Sequence, residues 1–191
     1  MCDAGLASLA YFYFDFKDTS KQSARVLLTS TLVQCSAQSD ACCSILSRLR
    51  SAHKVGSEQP SDEAMRQCLR EMLATPRQGP IFIVIDALDE CPQSAGTPSP
   101  RERVLELMKW LVNLQYSHLH ICITSRPEAN IQAALEKLAS HTVSLHGESG
   151  QTEDINKYIE FFINSDPSTC KWRKQDQQLV ITKLCQRAGG M

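Results

Sequence analysis

Apolar residues in this chain come in short blocks separated by polar, helix-patterned stretches. Residues 9–14, LAYFYF, are continuously apolar and end at Asp15, which predicts a largely buried strand. Over residues 21–34, Ala24, Leu27, Leu28 and Leu32 fall on one side at helical spacing, after Thr19 and Ser20 as caps. Residues 41–50 predict a second helix and residues 51–60, SAHKVGSEQP, an exposed loop. Ser61 then caps a helix in which Met65, Cys68, Leu69, Met72 and Leu73 recur at three and four residues. The strongest strand signal is IFIVI at 81–85, introduced by Gly79 and Pro80. It shows no alternation, so cover on both faces is expected, as for a central strand of a parallel sheet.

Further along, Ser99, Pro100 and Glu102 supply a cap, a first-turn proline and the reciprocal acid of a capping box. The helix they start carries Val104, Leu105, Met108, Leu111 and Val112 on its apolar side. Residues 119–123 predict another strand. Ser125 and Glu128 have capping-box spacing, and Ile131, Leu135 and Leu138 continue a helical face. A fourth strand is expected at 142–145, TVSL. A helix at 153–163 follows, with Ile155, Tyr158, Ile159, Phe162 and Ile163 as its stripe. A last helix at 175–188 turns Leu179, Val180, Leu184 and Cys185 inward, and Gly189 and Gly190 end it. Four strands separated by helices predict a three-layer α/β arrangement with a mostly parallel sheet and right-handed crossovers. Such sheets place ligands at the carboxyl ends of their strands.

Composition narrows the function classes. Twenty basic against twenty-one acidic residues give a formal net charge of -1, which provides no field for a polyanion or an acidic membrane. Nucleic acid and membrane are therefore not expected partners, and no apolar run approaches the roughly 18 residues that span a bilayer. The nine cysteines lack CxxC spacing and read as reduced thiols of a cytoplasmic or nuclear compartment, many of them small core hydrophobes. The run Lys171, Trp172, Arg173, Lys174 reads as a solvated helix start, and a Cys91 nucleophile with His118 or His120 lacks an orienting third group.

The segment IFIVIDALDEC sets Asp86, Asp89 and Glu90 directly after an apolar strand. An unpaired carboxylate inside that core would cost several kcal/mol, so the acids belong at the carboxyl edge. Two readings fit the residues. In one, Asp86 is a magnesium ligand and Glu90 and Asp89 act on an attacking water; in the other, all three stop a strand and cap a loop. The second candidate site is ICITSRPE, where Thr124 and Ser125 end a strand and Arg126 presents a rigid donor fork suited to phosphate. Here too a structural reading stands beside the functional one, with Arg126 paired to Glu128 or to the acids at 89 and 90.

YFYFDF at 11–16, DALDEC at 86–91 and TSRPE at 124–128, in this order, resemble the NACHT-type signal-transduction NTPases, in the nephrocystin-like subgroup abundant in large fungal proteins. The resemblance implies a P-loop NTPase sheet with the strand at 9–14 on an edge, then 81–85, then 119–123. The strand bearing the phosphate loop would come next, and 142–145 would lie outside it. It implies that Asp86 coordinates magnesium, that Asp89 and Glu90 stand near the hydrolytic water, that Thr124 and Ser125 contribute to the nucleotide site and that Arg126 senses the γ-phosphate. The cofactors would be Mg2+ with ATP or GTP, and self-association or protein partners would be usual. Residues 1–150 would be part of the NTPase domain and 151–191 the start of the following helical region.

One element of the pattern is missing. No Gly-x-x-x-x-Gly-Lys-Ser/Thr occurs, and only eight residues precede the first strand, whereas a strand, loop and helix need upward of about 20. Without that loop the phosphates lose several bonds worth roughly 1.5–3 kcal/mol each, so the chain alone is expected to bind nucleotide poorly. The chain is expected to be a piece cut before the phosphate loop and again after Met191; the alternative is a degenerate module that keeps its fold for protein contacts. A sheet lacking its central strand is expected to expose an apolar slot, either as a gap between 119–123 and 142–145 or as those strands drawn together under poor helix cover.

Overall fold

Three strands, β1 (Ser8–Tyr13), β2 (Ile81–Asp86) and β3 (Leu119–Ile123), pair in parallel in the order β1-β2-β3. The computed structural model describes residues 7–53, 59–75, 79–94, 96–144 and 149–188, and the chain divides into two compact units, Met1–Ala139 and Ser140–Met191. Helices α1 (Ala24–Gln38), α2 (Asp40–Ala52) and α3 (Asp62–Leu73) connect β1 to β2; α4 (Pro100–Asn113) connects β2 to β3, and α5 (Ala129–Leu135) follows. The first unit is thus an α/β fold on a parallel sheet, and its strand order is the one the resemblance implied.

Register explains where the core lies. Ala10, Ile83 and Ile121 share one row across the sheet, and Phe12, Ile85 and Ile123 another. These rows join Leu27, Leu28 and Leu32 of α1, Met65, Leu69 and Met72 of α3, and Val104, Leu107 and Met108 of α4 in one cluster. Full burial of side chains of this size is worth about 1.5–3 kcal/mol each. The intervening rows, Leu9–Phe82–His120 and Tyr11–Val84–Cys122, face the other way. There Tyr11 is 61% and Phe82 40% exposed, while Ile83 and Ile85 are buried. The cover expected on both faces of IFIVI is therefore replaced by alternation between a buried and an exposed face. Lys21 lies 4.0 Å from the centre of the Tyr13 ring and His120 stacks on Phe82 at 5.0 Å on the exposed side.

Local chemistry sets the helix ends. The Ser61 hydroxyl accepts from Ala64 N–H at 3.1 Å at the start of α3. At α4 the capping box forms as expected, with Glu102 N–H donating to the Ser99 hydroxyl at 3.2 Å and Ser99 N–H to the Glu102 carboxylate at 2.7 Å. Helix α1 begins later than expected, with Ser23 as its cap. Thr19 and Ser20 instead form a 3-10 turn capped by Asp18, which accepts from the Ser20 hydroxyl at 2.6 Å and Ser20 N–H at 3.0 Å. The Ser20 hydroxyl bond holds the Asp18 carboxyl below its usual range.

The fourth strand does not form over residues 142–144, which are exposed and outside any ladder; Leu145 lies outside the described residues. A strand needs a neighbour for its backbone groups, and among the described residues no segment occupies the position beyond β3 that would supply one. The expected gap or drawn-together pair of strands is consequently replaced by an exposed apolar sheet face.

In the second unit, α6 (Ser149–Ser165) packs on α7 (Lys174–Ala188). Ile163 and Ile181 are buried, and the Thr169 hydroxyl donates to Ile163 O at 2.8 Å. Tyr158, Phe162, Leu179 and Leu184, expected on inward stripes, are exposed. Two helices share a single line of contact, which accommodates one row of side chains from each. No helix among the described residues is long and apolar enough to cross a membrane.

Candidate functional site

The two polar motifs lie at the carboxyl ends of adjacent strands, because β2 and β3 are parallel and in register through Ile85 and Ile123. Each motif completes the other's hydrogen bonding. Thr124 N–H donates to Ile85 O at 2.9 Å, continuing the ladder past the end of β3, and Leu88 N–H donates to Thr124 O at 3.1 Å. The Thr124 hydroxyl accepts from Ala87 N–H at 3.1 Å and donates to a carboxylate oxygen of Asp86. These bonds hold Ala87 at φ 54° and ψ 47°, a left-handed conformation that costs a non-glycine residue about 1 kcal/mol or more. The chain therefore turns sharply straight after Asp86.

The three acids have different surroundings. Asp86 ends its strand with an exposed carboxylate beside the Thr124 hydroxyl. The Asp89 side chain, 9% exposed, accepts from Arg126 N–H at 3.0 Å and lies 3.4 Å from Arg126 Nε. Glu90 accepts from Phe16 N–H at 3.1 Å, which fastens the end of β1 to the acidic turn. Asp89 and Glu90 thus each accept a backbone N–H from a neighbouring segment, and Asp86, which accepts from the Thr124 hydroxyl, is the exposed one of the three.

Arg126 is joined to Asp89 through Nε, yet its side chain is 81% exposed. Only the arginine end of this pair is open to solvent; the Asp89 carboxylate is largely buried, so the guanidinium faces outward from the acidic turn. The Ser125 hydroxyl donates to Arg126 O at 2.8 Å and does not cap a helix; α5 begins after Glu128 without a side-chain cap. The expected Ser125–Glu128 capping box is replaced because Glu128 is engaged elsewhere.

That other engagement centres on Arg101, which lies outside both motifs. Its guanidinium is buried and donates through Nε to Cys91 O at 2.9 Å, through one terminal nitrogen to Asp89 O at 2.5 Å, and through the other to the Glu128 carboxylate. One planar fork thereby spans both motifs. A sequence signal for it exists: Arg101 lies three and four residues before Val104 and Leu105, so it extends the buried stripe of α4 by one polar member. A buried arginine in such a position needs acceptors, and the two loops supply them.

Cys91 is buried with its thiol 3.6 Å from Gln22 O, and burial pushes its pKa up to about 11. His118 bonds to Leu73 O at 2.9 Å and His120 stacks on Phe82. No nucleophile pair forms from these three residues.

As a metal site, the acidic turn presents one exposed carboxylate, Asp86, with Glu90 partly exposed. Among the described residues no group of three His, Cys, Asp or Glu is placed to hold an ion. That donor set does not fit a free cation; it fits magnesium arriving with phosphate oxygens, where one or two protein carboxylates suffice.

Comparison with known families agrees with this geometry in extent: the family model described as Nephrocystin 3, N-terminal matches residues 2–126, which span β1 through the TSR of the second motif. No curated protein and no solved structure matches the chain.

Proposed function

The chain belongs to the Nephrocystin 3, N-terminal family, and from that premise we propose that it carries the acidic and sensor half of a nucleotide-dependent signal-transduction switch module of the NACHT, P-loop type. The observation that carries the reading is the fusion of DALDEC and TSRPE into one hydrogen-bonded unit at the carboxyl edge of a parallel sheet, which leaves Asp86 exposed beside the Thr124 hydroxyl. In this reading Asp86 would hold Mg2+ supplied with ATP or GTP, Thr124 would fix the carboxylate, and Arg126 would turn from Asp89 towards the γ-phosphate. Bound magnesium would offset the phosphate charge. Asp89 and Glu90 keep the turn in shape, and their share in positioning water follows from that. These 191 residues contain no Gly-x-x-x-x-Gly-Lys-Ser/Thr; in this reading a phosphate loop would be supplied from elsewhere, and the module would work in the cytoplasm with protein partners or other copies.

A second reading, a non-catalytic interaction domain on the same fold, is favoured by the exposure of Tyr11, Tyr13 and Phe82 on one sheet face. Calorimetry of magnesium with ATP and with GTP separates the two, on this chain and on a version extended upstream in its reading frame. Binding by the extended chain alone supports the switch module. Binding by neither supports the interaction domain.

A further inference from the structure

The two edges of the sheet are treated differently by the rest of the molecule. Strand β1 uses one side of its backbone to pair with β2, leaving Leu9 and Tyr11 turned outward. Both are met by glutamine amides of α1. Leu9 N–H donates to Gln38 Oε1 at 2.9 Å and Gln38 Nε2 donates to Leu9 O at 2.7 Å. Tyr11 N–H donates to Gln34 Oε1 at 3.0 Å and Gln34 Nε2 donates to Tyr11 O at 2.8 Å. Each side-chain amide thus offers the strand the donor and acceptor that a neighbouring strand would offer.

The fit follows from two periodicities. Four residues along a helix advance by about 6 Å, and two residues along a strand advance by roughly 6.6 Å. Glutamines spaced by four on α1 therefore match alternate residues of β1. The amides are held in place in turn: Gln34 Nε2 also donates to the Ser30 hydroxyl at 2.9 Å, and Gln38 Nε2 to Gln34 O at 2.8 Å. The other outer strand, β3, has no second strand partner among the described residues.

We infer that Gln34 and Gln38 form a seal on the β1 edge, which keeps foreign strands, second copies of this chain included, from adding to the sheet there. Unsealed, that edge would present outward-facing N–H and C=O groups beside the exposed Tyr11, the combination that invites strand addition.

The test is hydrogen exchange at Leu9 and Tyr11 together with concentration-dependent sedimentation of residues 1–191. In wild type both amides are protected. Gln34→Ala/Gln38→Ala is expected to raise their exchange about fivefold or more and to shift the chain towards larger assemblies. Gln34→Glu/Gln38→Glu sets a carboxylate oxygen where each Nε2 donor met Tyr11 O and Leu9 O, so protection of both amides falls, while the added charge on the edge keeps sedimentation as in wild type. Unprotected amides in wild type, or an alanine pair that exchanges or sediments like wild type, overturn the seal. Should the alanine pair fail to fold, a glutamate pair whose amides stay as protected as in wild type overturns it.

Discussion

The two faces of the sheet both carry large apolar side chains and end in opposite environments. Ile83 and Ile85 are buried under α1, α3 and α4, whereas Phe82 and Tyr11, one residue out of phase, are 40% and 61% exposed. What differs is the supply of helices. Every connection in the chain order β1, β2, β3 steps the same way across the sheet, and right-handed crossovers that step one way place their helices on one face. Hydrophobicity of a strand therefore states that cover is wanted, and topology states which face receives it from the chain.

The largest effect that tests this contrast is a pair of truncations on adjacent residues of β2. Ile83→Ala is expected to cost about 2–5 kcal/mol, and Val84→Ala about 1 kcal/mol or less, read from urea unfolding midpoints. Equal costs would mean that both faces are packed alike. Next comes Arg101→Met, which leaves Asp89 O and Cys91 O without their buried donor and Glu128 without its partner. A loss of about 2–3 kcal/mol is expected; a neutral result would show that water replaces the guanidinium, and would remove it as the tie between the motifs.

The smallest effect contrasts thiols. Burial pushes Cys35 from 9.0 up to about 12, and Cys68 and Cys91 up to about 11, whereas Cys122 is exposed on the open face. The folded state holds these protons more tightly than the unfolded chain, so the contribution to stability is fully present below pH 9.0 and is lost as pH rises towards 11–12. A thiol reagent at about pH 8 is expected to label Cys122 in the native chain and the three buried thiols only on unfolding. Native labelling of Cys91 would place the acidic turn in a far more open environment than its burial indicates.

Much of the fold was legible where side chains speak for themselves. The IFIVI strand, the capping box of α4 and the apolar rows of α3 appear where the pattern puts them. The start of α1 was missed because Asp18 captured Thr19 and Ser20 in their own turn. TVSL alternates like a strand, but strand formation over 142–144 depends on a neighbour that no local pattern contains. At the site, the positions of both motifs were legible, while the division of labour among Asp86, Asp89 and Glu90 was not. Three adjacent acids look alike in sequence; Phe16 N–H and Arg126 N–H, which engage two of them, reach them only through the fold. Arg101 was legible in principle, as the polar member of an otherwise apolar stripe.

The most direct test of the central claim, that Asp86 is the acid exposed at the strand end towards a metal-bound phosphate, is magnesium-dependent nucleotide binding by the upstream-extended chain carrying Asp86→Asn, Asp89→Asn or Glu90→Gln, with unfolding midpoints measured alongside. The account predicts that Asp86→Asn abolishes the magnesium dependence at near-unchanged stability, while the other two substitutions lower stability and retain it; magnesium dependence that survives Asp86→Asn and disappears with Asp89→Asn or Glu90→Gln would contradict it.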